Sequence, residues 1–378
     1  MRFNVHLLCL NFGICLLASG ADSARNAGSP WRDDLLSAIK RDDVKAVTNI
    51  FSANALSPDV ALNANSATPL IIASSRGSRE VVRWLLQHGA KSNASTLLKD
   101  PDEFPAESGC TALMMACSRG DLEVARLLME HGAEANHKDG RGNTPLIIAS
   151  AKGHLDTIAF LIKHGADINA KNNDDWSALL AATDQNQTAA AELLIARGAD
   201  ANAKFLSGRN ALMCASEHGN LALTRFFVEK GIDLNHTNFD GNTALIDAAV
   251  EGHSKVVSFL IQKGAELDHR NQEGSTALLE AAAHGHCETV KALFEAGADP
   301  TVRNQFGYSA LDYAVGITGT NSTKTLGGVY GLAERGAIAQ DEVYYVMQRN
   351  AAHGDFDCTS NLLTNYERQF REARSLKK

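Results

Sequence analysis

Through most of its length the chain alternates short helical patterns of apolar residues with polar connections that contain glycine. Residues 144–166 illustrate the pattern. Thr144 can cap a helix that begins at Pro145, where proline loses no hydrogen bond, and Gly153 can end it. A second apolar face follows at helical spacing, and Gly165 can close that helix in the left-handed conformation that favours glycine. The pattern predicts two short helices joined by a turn and followed by a polar hairpin.

The same pair of helices recurs at a fixed distance. An earlier copy begins at Thr68, 43 residues before the next, and therefore carries an insertion. A single pair of helices cannot bury its apolar face, so the period predicts a stack in which each copy covers its neighbour. The later copies begin 33 residues apart, at Thr111, Thr144, Ser177, Asn210, Thr243, Thr276 and Ser309.

These residues resemble the ankyrin repeat. The resemblance rests on Asp-x-x-Gly-x-Thr-Pro-Leu at 139–146, Gly-His at 153–154 and Gly-Ala-Asp-x-Asn at 165–169, and it covers residues 30–336. It implies an all-α solenoid of stacked helix-turn-helix units with hairpin fingers. In this family the fingertips and the first helices form a concave wall, and partner proteins usually bind there.

Two departures from the family pattern stand out. Repeat four has Asp175 and Asn186 where its neighbours have glycine, which leaves its local shape open. The position after Thr-Pro-Leu is usually histidine, so we expect apolar packing to replace the hydrogen bond of that histidine. The residues at this position are Ile71, Met114, Ile147, Leu180, Met213, Ile246, Leu279 and Asp312.

The two ends of the chain are predicted to differ from the repeats. Arg2, an apolar stretch and the small residues Ala18 and Gly20 are typical of a secretory signal peptide, although a buried N-terminal helix or a misassigned start is the alternative. The basic C-terminal tail indicates a solvated helix or, alternatively, an element that docks on an acidic partner. The predicted segments are a signal peptide over 1–20, a linker over 21–29, a degenerate N-terminal capping repeat over 30–66, the ankyrin array over 67–336 with insertions near 97–108 and 316–328, and C-terminal capping helices with the basic tail over 337–378.

Composition narrows the classes of function. The 378 residues are 44% apolar and 21% charged, and the net charge of −8 disfavours binding to a nucleic-acid backbone. We expect no integral membrane span in the mature chain, because no later stretch is long and apolar enough. An odd number of cysteines at irregular spacing predicts buried free thiols and no disulfide framework.

Candidate chemistry is sparse. His284, His286 and Cys287 lie close together, but His286 occupies the repeat's own histidine position, and too few ligands converge for a metal site. Motifs of zinc hydrolases, serine hydrolases and phosphate-binding loops are absent from the sequence. We therefore expect no metal, no cofactor and no catalysis.

The expected binding surface is the concave wall. Large side chains such as Trp176 and Phe239 are costly to expose at fingertips, and aromatic and arginine side chains often dominate interfaces. The alternative is that each ring folds back on the adjacent hairpin. The candidate partner-binding residues are Arg141, Asn143, Lys152, Asp174, Trp176, Leu206, Arg209, Glu217, His218, Phe239, Asn242, Gln272, Phe306 and Tyr308.

These observations predict a monomeric, non-enzymatic scaffold or adaptor that binds a protein partner of unknown identity. The signal peptide favours a secreted or periplasmic location. Two alternatives remain open at this point: a cytosolic ankyrin adaptor, and a secreted effector that neutralises a partner enzyme. The family indicates how such a molecule binds and says little about what it binds.

Overall fold

The structure is a computed structural model of the chain, and it describes residues 30–63, 66–97, 108–205, 207–318, 359, 362–366 and 368. Regular structure within these ranges consists of α-helices, with one isolated antiparallel bridge between Ser95 and Thr111. The helical stack expected from the period is therefore confirmed. The expected leader and linker, most of both insertions and much of the C-terminal region lie outside the described residues.

The described residues form two compact units. Within the first unit, the first helices of neighbouring pairs pack on one another and so do the second helices. Its five pairs are α1 Pro30–Lys40 with α2 Val44–Ala53, α3 Pro69–Arg76 with α4 Arg79–Gln87, α5 Ala112–Arg119 with α6 Leu122–Glu130, α7 Pro145–Lys152 with α8 Leu155–Lys163, and α9 Ala178–Asp184 with α10 Thr188–Ala196.

The second unit has the same two rows of helices. Close to its end, Thr359 and Leu363 are fully buried, and the Tyr366 ring stacks on Phe294 with centroids 3.6 Å apart. The helices are α11 Ala211–Glu217 with α12 Leu221–Glu229, α13 Ala244–Val250 with α14 Ser254–Gln262, α15 Ala277–Ala283 with α16 Cys287–Glu295, and α17 Ala310–Thr318. Helix α17 extends to Thr318, so the first residues of the insertion predicted at 316–328 are helical.

Local sequence explains where each first helix begins and ends. The Thr144 hydroxyl accepts a hydrogen bond from the Ile147 amide at 3.3 Å, Pro145 fills the first helical position, and Gly153 ends α7 with φ of 73°. In repeat four, Asp175 and Asn186 adopt φ of 61° and 58°, which is the left-handed conformation of the glycines they replace. Asp and Asn tolerate this conformation better than other side chains, so repeat four keeps the shape of its neighbours.

The cores of both units are formed by short first helices rich in small residues and by the apolar face of the second helices. At the position where the family usually has histidine, every apolar residue from Ile71 to Leu279 is almost fully buried. Burial of each such side chain stabilises the fold by about 1.5–3 kcal/mol. Apolar packing therefore replaces the family's histidine hydrogen bond, as expected. Asp312 alone at this position accepts hydrogen bonds from Ser309.

A histidine at the start of several second helices links neighbouring repeats. The Nε2 atom of His154 lies 3.1 Å from the Ser118 carbonyl in the first unit, and that of His286 lies 2.9 Å from the Val250 carbonyl in the second. Gly252 lies directly beneath His286: a Cβ at Gly252 would come within 2.5 Å of the imidazole. Gly252 also has a φ of 75°, a backbone conformation that residues with a side chain rarely adopt. Glycine is therefore needed at this position for two reasons.

Candidate functional site

The fingers of the first unit are held by polar side chains near their tips. Asp139 accepts hydrogen bonds from the Asn143 amide at 2.7 Å and from the Arg141 amide at 3.0 Å. The Asn173 amide then donates to the Arg141 carbonyl of the preceding finger at 2.9 Å. These bonds fix the candidate residues Arg141 and Asn143 within one finger and join that finger to the next.

Candidate residues of the first unit differ in accessibility. Asn143 is buried between Asp139 and the side chain of Asn172, which donates to it at 2.8 Å. The Trp176 ring stacks on Phe205, with centroids 4.7 Å apart and planes 10° apart, so it does pack on the adjacent finger. Asp174 is exposed, Lys152 and Arg141 are half-buried, and Leu206 lies outside the described residues.

In the second unit, Arg209 is buried and lies between two carboxylates. It is 5% exposed, and its Nη2 atom donates to Glu217 and, at 3.2 Å, to Asp247. Burial of a charge is costly unless the charge is paired, and these two acids pair it. Arg209 thus joins α11 to α13 within the unit.

Two buried acids of the second unit were missed as candidates from the sequence. Asp247 is 8% exposed and Glu280 is 5% exposed, and both occupy the fourth position after the cap. That position holds Met115, Ile148 and Ala181 in the first unit. An acid at a position that is otherwise apolar is a signal that the aligned repeats contain, and it could have identified both residues.

The environment of Asp247 is unusual for a carboxylate. Burial raises its pKa to about 7, and the neighbouring charge of Glu217 acts in the same direction. The attraction of Arg209 and a hydrogen bond from Asn242 act against this shift without cancelling it. The charge of Arg209 therefore does not fully offset the cost of burying Asp247.

Other candidates of the second unit support the fingers. Asn242 accepts a hydrogen bond from the Asn271 side chain at 3.0 Å, and Gln272 donates from Nε2 to the Phe239 carbonyl. His218 is exposed, with Nδ1 2.8 Å from the carbonyl of Cys214 on its own helix. These contacts fix finger positions and leave the outward surface of the tips available.

Aromatic residues of the second unit divide into packed and exposed rings. Tyr308 is half-buried, and its ring centroid lies 5.5 Å from that of Tyr313. Phe239 is 69% exposed although its ring covers Gly208, and Phe306 is 40% exposed. The exposed phenylalanines are the fingertip residues for which the fold itself provides least burial.

Charge differs between three first helices of each unit, whereas α9 of the first unit contains Asp184 and no Lys or Arg. In the first unit α3, α5 and α7 end in a basic residue, and we call Arg76, Arg119 and Lys152 the basic row. In the second unit α11, α13 and α15 each contain one acid and no Lys or Arg, and we call Glu217, Asp247 and Glu280 the acidic row. Each row lies on three consecutive first helices of its own unit.

No group of three or more metal-ligating side chains occurs among the residues that the structure describes. The rings of His284 and His286 stack 6.0 Å apart, and burial lowers the pKa of His286. Across the same described ranges, no helix has the length and apolar character needed to cross a bilayer.

Cysteines follow the expectation only in part. Cys117 and Cys214 are buried free thiols, and burial raises the pKa of Cys117. Cys110 and Cys287, however, each belong to a disulfide bond. The expectation of free thiols was wrong for these two, because sequence spacing does not reveal which sulfurs come together in the fold.

A groove of about 670 Å³ lies on the second helices of the second unit. Arg225, Phe259 and Lys291 are among its lining residues, and the Arg225 guanidinium lies 4.6 Å from the Phe259 ring centroid. The groove is lined by α12, α14 and α16. None of the candidate residues lines it.

Comparison with known proteins gives a family and a fold. The family model for ankyrin repeats matches residues 35–139, 90–172, 135–205, 178–271 and 212–304. The crystal structure of the human ASB11 ankyrin repeat domain is similar, with a TM-score of 0.52 and 24% identity over 58% of this chain and 98% of that one. The ankyrin repeat domain of Bcl-3, described as a unique member of the IkappaB protein family, aligns with a TM-score of 0.48 and 29% identity over 57% and 93%. No curated protein sequence matches the chain.

Proposed function

Because the chain belongs to the ankyrin-repeat family, whose repeats generally serve as protein–protein interaction scaffolds, we propose that it is a non-catalytic scaffold that binds a protein partner. The partner docks on the finger wall, by which we mean the fingertips and first helices of a unit. The protein acts as a monomer.

The observation that carries this proposal is the exposure of Phe239 and Phe306. Trp176 and Tyr308 pack against neighbouring rings, whereas 69% of Phe239 and 40% of Phe306 remain exposed. Large aromatic side chains in this situation are typical anchors of protein interfaces, because a partner removes them from water.

The mechanism is presentation of a preformed surface. The Gln272 amide donates to the Asp240 carbonyl at 2.9 Å, and the Gln305 amide donates to the Glu273 carbonyl at 2.9 Å. Adjacent fingers are therefore held in place before any partner arrives. Little conformational entropy is lost on binding, which favours affinity.

The test is cross-linked capture from native cells with the full chain. The double variant Phe239→Ala, Phe306→Ala should capture the partner at least about ten-fold less than the natural chain, as expected for interface anchors. The matched control is Leu155→Ala, which truncates another 40%-exposed apolar residue on a second helix and should leave capture unchanged. Equal capture by the double variant, with unchanged helical content, would contradict the proposal.

We also propose a secreted or periplasmic location. The disulfide-bonded Cys110 and Cys287 favour an oxidising compartment, and the apolar leader after Arg2 favours export. The mass of the protein isolated from its native cells tests this. A chain that begins near Ala21 and that, under denaturing conditions, takes up more alkylating reagent after reduction than without it supports export. A chain that keeps its leader and contains only free thiols supports the cytosolic adaptor.

A secreted neutraliser of a partner enzyme is a special case of the same binding function. It is distinguished by inhibition of the captured partner's activity, which the Phe239→Ala, Phe306→Ala variant should relieve.

A further inference from the structure

We propose that the finger wall of the second unit binds a basic segment of its partner, with cationic side chains against the accessible wall acids Asp240, Glu251 and Glu273, in the negative field to which the acidic row adds, and an apolar side chain against Phe239. This inference rests on the proposed function, and it adds the chemistry of the partner and the unit that receives it.

The first observation is an excess of acid on the first helices of this unit. Glu217, Asp247 and Glu280 lie on three consecutive first helices that contain no Lys or Arg. Arg209 is shared between Glu217 and Asp247, and His284 Nδ1 lies 4.0 Å from Glu280. A cation from a partner would enter a region where negative charge exceeds positive charge.

The fingers add acid to the same wall. Asp240 is exposed at the tip beside Phe239, Glu273 is half-buried at the next tip, and Glu251 follows α13 directly. Of the finger arginines, Arg303 pairs with Asp312 at 2.7 Å, whereas Arg270 donates to the neutral carbonyl of Gly274 at 3.2 Å and keeps its charge. Acids still outnumber the cations on these fingers and first helices.

Asp247 and Asp312 differ in how far their surroundings offset the cost of burial. Hydrogen bonds from Ser309 and the charge of Arg303 outweigh burial at Asp312 and lower its pKa. At Asp247 burial prevails and its pKa rises to about 7, although Arg209 and Asn242 oppose the shift. A second cation near the acidic row would stabilise the ionised form of Asp247, and this stabilisation would add to the binding energy.

Charge complementarity selects the occupant. A nucleic acid or an acidic peptide would be repelled by the acidic row, whereas a basic segment is steered towards it. The exposed Phe239 requires an apolar group beside the positive charges, because a purely polar ligand would leave the ring in water. Arginine or lysine next to leucine or another apolar residue meets both requirements.

A peptide probe tests this with the full chain. The probe is a short fluorescein-labelled peptide of arginine, serine and leucine, and its matched control has glutamate in place of arginine. The arginine peptide should bind at least about ten-fold more tightly than the glutamate peptide, and this preference should shrink with added salt.

Variants of the chain identify the surface to which the arginine peptide binds. Reversal of the three wall acids in the variant Asp240→Lys, Glu251→Lys, Glu273→Lys should weaken the arginine peptide about ten-fold or more, as expected when an interface loses its complementary charge. The matched control, Glu229→Lys, Glu266→Lys, Glu288→Lys, changes the net charge equally at exposed positions away from the wall. It should alter affinity less than about two-fold once salt screens distant charges. Hydrogen exchange of α11–α15 confirms that each variant folds.

Several outcomes would overturn the inference. One is an equal loss of affinity in the two triple variants, which would indicate net charge alone. Another is tighter peptide binding after removal of residues 369–378, which would make the chain's own basic tail the occupant. A dimer in sedimentation that dissociates on wall reversal would make a second copy the occupant.

The inference and the proposed function can fail separately. If Phe239→Ala, Phe306→Ala loses the native partner while the wall reversal leaves peptide and partner binding unchanged, the scaffold function stands and the basic chemistry of the partner does not. If neither variant affects capture, the finger wall itself is not the docking surface.

Discussion

The two units are built from the same repeat and differ in the charge of their first helices. In the first unit, Arg76, Arg119 and Lys152 end successive first helices. In the second unit, the successive first helices carry Glu217, Asp247 and Glu280 instead. Because both units keep the same caps, glycines and apolar core, this charge is not needed to form the repeat. The two rows occupy different positions in the repeat: the basic residues lie at the end of each first helix, whereas Asp247 and Glu280 lie in its middle. A first helix can therefore carry charge of either sign at more than one position and keep its shape, which leaves these positions free to vary for binding.

The basic and acidic rows also differ in burial. Arg119 is exposed and donates to the Ser75 carbonyl at 3.2 Å, whereas Arg209 is buried between Glu217 and Asp247. Because Arg119 stays in contact with water, its charge costs the first unit little free energy of folding. The buried cluster of the second unit makes each of its members depend on the others.

The largest effect should come from Arg209→Ala. Removal of the guanidinium leaves two uncompensated carboxylates at a buried site, so we expect a loss of about 3 kcal/mol or more in the free energy of unfolding. Arg119→Ala in the first unit is the control and should cost less than about 1 kcal/mol, as for other surface changes. Urea denaturation, with hydrogen exchange to assign the loss to the second unit, measures both. Similar values for the two variants would contradict the contrast in burial.

A smaller effect should appear in the pH dependence of the second unit. The pKa of Asp247 is raised to about 7 from an ordinary value of 3.8, so between these values the folded state binds a proton that the unfolded state does not. This group therefore lowers stability as the pH rises towards 7, and its penalty is relieved as the pH falls. The groups that act on it are Arg209, Glu217 and Asn242.

Hydrogen exchange of α11 and α13 at several pH values measures this dependence. The variant Asp247→Asn should flatten the slope between pH 5 and 8, while Asp174→Asn at an exposed fingertip of the first unit should not change it. An unchanged slope in Asp247→Asn would show that Asp247 keeps an ordinary pKa.

The smallest effect should come from an exposed ion pair of the first unit. Arg83 and Glu80 lie 2.8 Å apart on α4, and 47% and 57% of their side chains are exposed. Water and salt screen this pair, so Arg83→Ala should change the free energy of unfolding by about 0.5 kcal/mol or less. Urea denaturation tests it. If Arg83→Ala lowered the free energy of unfolding as much as Arg209→Ala does, burial would not explain the difference between the units.

Much of the fold could be predicted because its determinants are local. Thr144, Pro145 and Gly153 act within a single helix, and the 33-residue spacing implies the stack. Asp175 and Asn186 left the shape of repeat four open, since sequence alone does not give φ. Their positive φ values resolved it.

The candidate surface was harder to predict because its properties depend on contacts across repeats. Spacing placed Trp176 at a fingertip, but its exposure depends on Phe205 in the next finger. Spacing likewise placed Arg209 on the wall, but its burial depends on Asp247 one repeat later. Asp247 and Glu280 were missed because acidic residues are usually exposed to solvent, and the pattern of one helix gives no reason to expect otherwise.

The histidine links described in both units bear on how the protein could change over evolutionary time. His154 and His286 each lie within hydrogen-bond distance of a carbonyl of the immediately preceding copy. The hydrogen-bond partner of each histidine is therefore supplied by the neighbouring copy. A duplication or loss of 33 codons would therefore re-create the same junction on both sides. Such a protein can gain or lose length in whole copies, and its partners could be exchanged one copy at a time.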